Sequence, residues 1–260
     1  MITIPPVVPP LPREYLYRRR FPAKTAFTWL REGWRDLTIK PALSLAYGFV
    51  VFVVSLVVVW GIFQLAWDYI LFPALAGFMV VGPIFAVGLY EKSRRIAQNE
   101  PITLRHMLFV KARSGGQILF IGALLCLLML VWMRAAVIIY ALFFGLQPFP
   151  GLDHITGMLF TTPIGLSMLA VGTVVGGLFA AFSFAISAFS IPMLLNERLD
   201  AFTAMATSVA LVWNNLPVML TWGAIVLTLF LVSLAFGMVG LIVAFPLLGH
   251  GTWHAYKAMR

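Results

Sequence analysis

From Leu43 to Phe63 the chain carries no charged residue, and comparable runs follow. They are Tyr69–Tyr90, Gln117–Leu146 (broken only by Arg134), Pro163–Leu194, and the stretch from Pro217 toward the C-terminus. About twenty apolar residues in a helix cross the hydrocarbon core of a bilayer. Backbone N–H and C=O groups find no water there, so a spanning segment must satisfy them internally as helix. These runs therefore predict an all-α, polytopic transmembrane helical bundle. Composition agrees: 62% of residues are hydrophobic and 10% charged, against about 25% charged in soluble domains. Mean hydropathy is +0.97.

The net charge of +9 would point to nucleic acid in a soluble chain. Here the basic residues are segregated instead. Arg13, Arg18, Arg19, Arg20, Lys24, Arg31, Arg35 and Lys40 precede the first apolar run; Lys92, Arg94, Arg95, Arg105, Lys111 and Arg113 follow the second. Arg198, Lys257 and Arg260 come later. Basic residues collect on the cytoplasmic side of inner-membrane proteins. Membrane lipids with anionic headgroups are thus the expected partner, and nucleic acid is not. The stretch Gly82–Arg95 reads as a helix leaving the bilayer into a charged cytoplasmic turn at Glu91–Arg95.

Residues 1–24 hold five prolines between Pro5 and Pro12 and read as a disordered, Pro-rich and basic cytoplasmic tail. Residues 25–260 form one transmembrane domain. Thr25–Leu37 places Phe27, Leu30, Trp34 and Leu37 on one helical stripe, which predicts an interfacial amphipathic helix anchored by Trp29 and Trp34. The first span is expected at Leu43–Phe63, the second at Tyr69–Tyr90, the third at Gln117–Met133 and the fourth within Pro163–Leu194. Gln64–Asp68 and Gln147–Thr162 are the outer loops. The segment from Pro217 is either one long span or a hairpin turning at Gly237–Gly240. Six spans, with both termini cytoplasmic, put seventeen of the eighteen Lys and Arg residues inside, Arg134 being the exception.

The order surface helix, odd span, even span with proline occurs near 25–95, 102–198 and 201–258. Ala26-Phe27-Thr28 returns as Ala201-Phe202-Thr203, and Pro83, Pro192 and Pro246 mark the even spans. A threefold hairpin repeat and shared membrane constraints both account for such matches.

Candidate chemistry is sparse. His250 and His254 lie four apart on one helical face, a spacing that can hold a metal or contribute to a haem site. No second ligand set accompanies them, since His106 is cytoplasmic and His154 outer. Hydrogen bonding to headgroups or neighbouring helices is the expected role, with no metal and no cofactor. Arg134 is expected at the outer interface, either snorkelling or paired with Asp68 or Asp153. Gly172, Gly176 and Ala180 step by four and predict a face for close helix approach. Cys126, the one cysteine, is expected to be a packing residue.

Several segments resemble a known family. They are Phe27-x-Trp29-Leu30 with Gly33-Trp34-x-Asp36-Leu37, then Pro41-x-x-Ser44-Leu45-x-Tyr47-Gly48, Gly77-Phe78, and Gly82-Pro83. Further along come Gly88-Leu89-Tyr90-Glu91-x-Ser93-Arg94-Arg95, Ser190-x-Pro192-Met193-Leu194, Ala204-x-x-x-Ser208, and His250-Gly251-Thr252-Trp253-His254-Ala255-Tyr256. Together they resemble the proteobacterial integral membrane proteins known as domain of unknown function 2189. The resemblance implies a multi-span bacterial inner-membrane protein and carries no catalytic or binding residues with it. No nucleotide loop, zinc-protease signature or nucleophile–base pair is present in the sequence, and no Asp or Glu lies inside an apolar core. The expectation is a non-enzymatic scaffold or accessory membrane subunit that packs against other integral membrane proteins or itself. A small-solute transporter or channel is the alternative.

Overall fold

The computed structural model describes residues 17–145 and 149–260, apart from the side chain of Asp153. The tail expected over residues 1–24 lies outside the described residues up to position 16. All regular structure among the described residues is helical. The order is α1 (Thr25–Thr38), α2 (Pro41–Gln64), α3 (Leu71–Phe85), α4 (Val87–Ala97), α5 (Leu104–Leu108) and α6 (Gly115–Phe144). Then come α7 (Leu152–Thr161), α8 (Pro163–Ser187), α9 (Ser190–Asn196), α10 (Ala201–Asn214), α11 (Leu216–Ala235) and α12 (Leu241–Met259). Counting α3–α4 and α8–α9 each as one broken rod, five helices among the described residues are long and apolar enough to cross a membrane, and α12 is not among them.

Prolines set the breaks. Pro83 lacks an N–H and crowds the carbonyl four residues back, so α3 stops at Phe85 and α4 starts anew. The Phe85 carbonyl released there accepts from the Tyr47 hydroxyl at 2.8 Å. Pro192 acts alike at the junction of α8 and α9. There Ser208 of α10 accepts from the Phe189 N–H at 3.1 Å and donates to the Ala185 carbonyl at 2.7 Å. Each break in apolar surroundings thus has a hydroxyl from another helix to satisfy it.

Helix α12 is the hub. It packs along α1 and α2 and against α4. Glycines make the approach possible. A Cβ on Gly33 would stand 2.6 Å from the Gly251 backbone nitrogen, and one on Gly48 would run into the carbonyl of Ile242. Pro246 has no N–H to offer that Ile242 carbonyl, so α12 leaves it without its helical donor, and Gly48 passes beside it.

Several expectations are corrected. Glu91–Arg95 is helix, not a turn, and Glu91 and Lys92 are buried. Trp29 is no lipid anchor: it is buried edge-on to Trp222, with ring centroids 6.0 Å apart, while Trp34 stays exposed. The face of α1 that packs into the protein is Ala26, Trp29, Gly33, Asp36 and Leu37, so most of the apolar stripe looks outward. Cys126 is also exposed. The loop expected over Gln147–Thr162 holds the helix α7, and α6 runs unbroken through Arg134.

Candidate functional site

Three helices and the corner they share with α12 bring polar side chains to one buried point beside Lys40. Asp36 comes from the end of α1, Ser44 from the first turn of α2, Lys92 and Ser93 from α4, and His250 and His254 from α12. Lys40 itself turns the chain in the left-handed region, at φ 50° and ψ 62°, before Pro41 opens α2. A non-glycine residue is strained there. Its Nζ donates to the Ile102 carbonyl at 3.2 Å.

Lys92 is 0% exposed. A buried ammonium needs acceptors for its three protons. Lys92 Nζ meets Ser44 Oγ at 2.7 Å, the Asp36 carbonyl at 3.0 Å and the Lys40 carbonyl at 3.5 Å. The two carbonyls belong to the C-terminal end of α1 and the corner after it, where the helix dipole favours a cation.

The remaining protons follow in sequence. Ser44 Oγ accepts from Lys92, so its own proton goes to His250 Nε2, 2.9 Å away. Nε2 is then an acceptor, and a neutral ring carries its proton on Nδ1. Nδ1 donates to Ser93 Oγ at 2.8 Å. Ser93 in turn lies beside the Asp36 carboxyl and helps to hold its pKa down. On the far side His254 Nε2 donates to Asp36 Oδ2 at 2.8 Å. The result is a directed chain from an ammonium through Ser44 and His250 to Ser93, beside the Asp36 carboxylate. The ammonium fixes its direction, and each link polarises the next.

Burial alone raises the Asp36 carboxyl, yet its pKa is lowered, because the hydrogen bond from His254, the nearby Ser93 hydroxyl and the charge of His254 outweigh desolvation. A group depressed in the folded state stabilises the fold above its unfolded pKa and loses that contribution as pH falls through the folded value. Asp36→Asn should therefore lower the melting temperature in detergent at neutral pH. The cost is about 1–3 kcal/mol, as for a buried group robbed of its charged partner. The gap to wild type should close below about pH 4, where the free carboxyl protonates. A gap independent of pH would mean that the carboxylate charge contributes nothing.

Two further polar clusters lie on the same end of the molecule. Glu91 takes a bidentate pair from Arg94 at 2.8 and 2.8 Å and a third bond from Arg95 at 2.7 Å. Glu197 accepts from Tyr256 Oη at 2.8 Å and from Arg260 Nη2 at 2.8 Å. Arg260 holds the Glu197 pKa down against partial burial, together with Tyr256.

The residues singled out from sequence fare differently. His250 and His254 enter the chain as hydrogen-bonding groups: both ring nitrogens of His250 and Nε2 of His254 are engaged by Ser44, Ser93 and Asp36. Among the described residues no three His, Cys, Asp or Glu side chains gather as a metal site. Arg134 is exposed and has no ion-pair or hydrogen-bond partner among the described groups, and Asp68 is not its partner. It stands just past Trp132, whose Nε1 donates to the Pro73 carbonyl at 2.9 Å near the start of α3. Arg134→Lys should then shift stability by no more than about 0.5 kcal/mol, since no guanidinium fork is used. A larger loss in a detergent melt would reveal a bidentate partner.

Gly172 and Gly176 part company. A Cβ on Gly176 would lie 2.8 Å from Trp132 Cη2, so α6 closes on it; at Gly172, and at Gly177, it would meet nothing within 4 Å. Those two open positions line a groove of about 1100 Å³ between α3, α6, α7, α8, α10 and α11. Its walls are aliphatic, aromatic and small, with Thr173, Tyr69 and Tyr140 as the hydroxyl-bearing exceptions, and no charged residue lines it. Sequence reasoning missed Asp36, Ser44, Lys92 and Ser93. The only advance sign of them was the glycine at 33, 48 and 251, which marks helices in backbone contact.

Residues 71–196 match the family model described as predicted integral membrane protein (DUF2189), the family the sequence resembles. No curated protein and no solved structure matches the chain.

Proposed function

We propose that this chain, a DUF2189 integral membrane protein, is a six-span, non-enzymatic scaffold or accessory subunit of the bacterial inner membrane with both termini cytoplasmic. The carrying observation is the uncovered flank of α8. In its most apolar stretch the α8–α9 rod is 6% buried within the chain, against 17–28% for the other four candidate spans. That flank has open space at Gly172 and Gly177. Small residues let a second helix approach closely, and an apolar transmembrane helix of another protein is the occupant we assign to the groove. A solute pathway would call for polar groups along the groove, and its apolar lining favours the scaffold over a small-solute transporter or channel.

An even number of crossings is supported by contacts between the two ends. The Arg19 N–H donates to Asn215 Oδ1 at 2.8 Å, and Arg19 Nε donates to the Met259 carbonyl at 2.9 Å. Helix α12 follows α11 through the turn at 236–240, where Gly237 takes φ +61°. Its 19 residues reach about 28 Å, the length of a crossing, although it is less apolar than the five candidate spans. Three hairpin units also fit the helix order: α1, α5 and α10 each precede a span, and Pro83, Pro192 and Pro246 each fall in the helix that returns.

The test is site-directed crosslinking in native membranes on a Cys126→Ser background. Gly172→Cys and Gly177→Cys should each give one discrete maleimide adduct with the same membrane protein, and Val57→Cys, on an exposed face of α2, should not. Adducts no different from those of Val57→Cys, together with solute flux through the reconstituted protein, would replace the scaffold by a transporter.

A further inference from the structure

A second concave site lies at the end of the molecule assigned above to the cytoplasm, clear of the buried chain. Arg95, Arg105, His106, Phe109 and Lys111 enclose a cavity of about 490 Å³. Its frame is tied down. Arg95 Nη1 donates to the Pro101 carbonyl at 3.1 Å, and His106 Nδ1 lies 3.0 Å from Thr103 Oγ1. Beyond the cavity the Arg113 and Ser114 N–H groups donate to the carbonyls of Leu195 and Leu194 at 3.2 and 3.0 Å. Met107, in the same short helix, is buried.

Charge in this cavity is uncompensated where it matters. Arg94 is matched by Glu91 and Glu100, and Arg260 by Glu197. Arg105 and Lys111 are exposed and have no acidic partner among the described residues. Arg95 uses Nε and Nη1 on Glu91, Glu100 and the Pro101 carbonyl, and its Nη2 makes none of these bonds. Beside these cations Phe109 is 75% exposed, and Leu104 and Leu108 are exposed with it. The segment sits between the end of α4 and the start of α6, both of which enter candidate spans.

We propose that this cavity binds the phosphate headgroup of an anionic glycerophospholipid of the inner leaflet, with Phe109, Leu104 and Leu108 against its acyl chains. Guanidinium and ammonium groups around a small concavity recognise phosphate oxygens by charge-assisted hydrogen bonds. Exposed apolar residues next to them separate a lipid from a free anion, which has nothing to place there. The assignment rests on the membrane orientation proposed above and is independent of what occupies the α8 groove.

The experiment is native mass spectrometry of the full-length protein in detergent, titrated with phosphatidylglycerol, with phosphatidylcholine, and with phosphatidylglycerol plus inorganic phosphate. Phosphatidylglycerol should be retained over phosphatidylcholine. The double variant Arg105→Gln/Lys111→Gln should weaken that retention on the order of thirtyfold, from two surface cations. A second double variant, Arg31→Gln/Lys257→Gln, removes the same charge from exposed positions outside the cavity and should retain the lipid. Equal weakening in both variants would overturn the site in favour of general surface charge. Displacement by inorganic phosphate at comparable concentration would overturn the lipid in favour of a soluble anion. No preference for phosphatidylglycerol would overturn both.

Discussion

Lys92→Met should destabilise the protein by about 3–5 kcal/mol, the range seen when one member of a buried charged network is removed. The side chain keeps its length and apolar stem, so packing is nearly conserved. What is lost is the donor to Ser44 and to the carbonyls of Asp36 and Lys40. Those acceptors stay buried without a proton, and Asp36 keeps its negative charge with its counter-charge gone. The loss should be visible as a melting shift in detergent, and as freer proteolysis at the α1–α2 corner. A shift worth under about 1 kcal/mol would mean that water replaces Lys92 at low cost and that the corner is not sealed.

Gly48→Leu should be as damaging by a purely steric route. Its Cβ would strike the Ile242 carbonyl and stand 2.9 Å from Pro246 Cγ. The obstacle is backbone, which no rotamer change moves, so α2 and α12 must separate. A penalty of at least about 3 kcal/mol is expected, at the upper end for overpacking. Gly61→Leu is the internal control, on the same helix but with nothing within 4 Å of its Cβ. It should leave the melting temperature nearly unchanged. Equal behaviour of the two variants in a detergent melt would show that the α2–α12 contact is not a close one.

Much of this architecture was legible in the sequence because lipid imposes it. Uncharged runs marked the long apolar helices, and the Gly237–Gly240 stretch marked the turn before α12; the prolines at 83 and 192 were read as marks of the even spans, and the breaks beside them were not foreseen. Which face of each helix packs inward was not legible. In a soluble protein an apolar stripe marks the core, but lipid is as apolar as leucine. Hence Phe27 and Trp34 of α1 face outward while Gly33 and Asp36 face α12. In α10, likewise, Phe202 is exposed while Ala204, Ser208 and Leu211 are buried.

The buried chain escaped detection for a different reason. Lys92 and His250 are far in sequence from Asp36 and Ser44 and from each other, and their meeting depends on three helix–helix contacts rather than on any local spacing. The run Glu91–Arg95 looks like an ordinary cytoplasmic stop to a charge count. Its helix simply continues, and burial of Glu91 and Lys92 follows from partners on other turns and other helices. His250 and His254 were visible as a pair, and their partners were not.

One directed hydrogen-bond chain, from Lys92 through Ser44 and His250 to Ser93, together with the Lys92 bond to the Asp36 carbonyl, fastens α1, α2, α4 and α12 together. Nitrogen-15 NMR of the histidine rings in nanodiscs, with His250 assigned by comparison with His250→Gln, tests it most directly. The expected result at neutral pH is a neutral His250 ring protonated on Nδ1, because Nε2 accepts from Ser44. An Nε2-protonated tautomer would reverse the chain, an imidazolium would remove the acceptor that Ser44 needs, and either result would contradict the account.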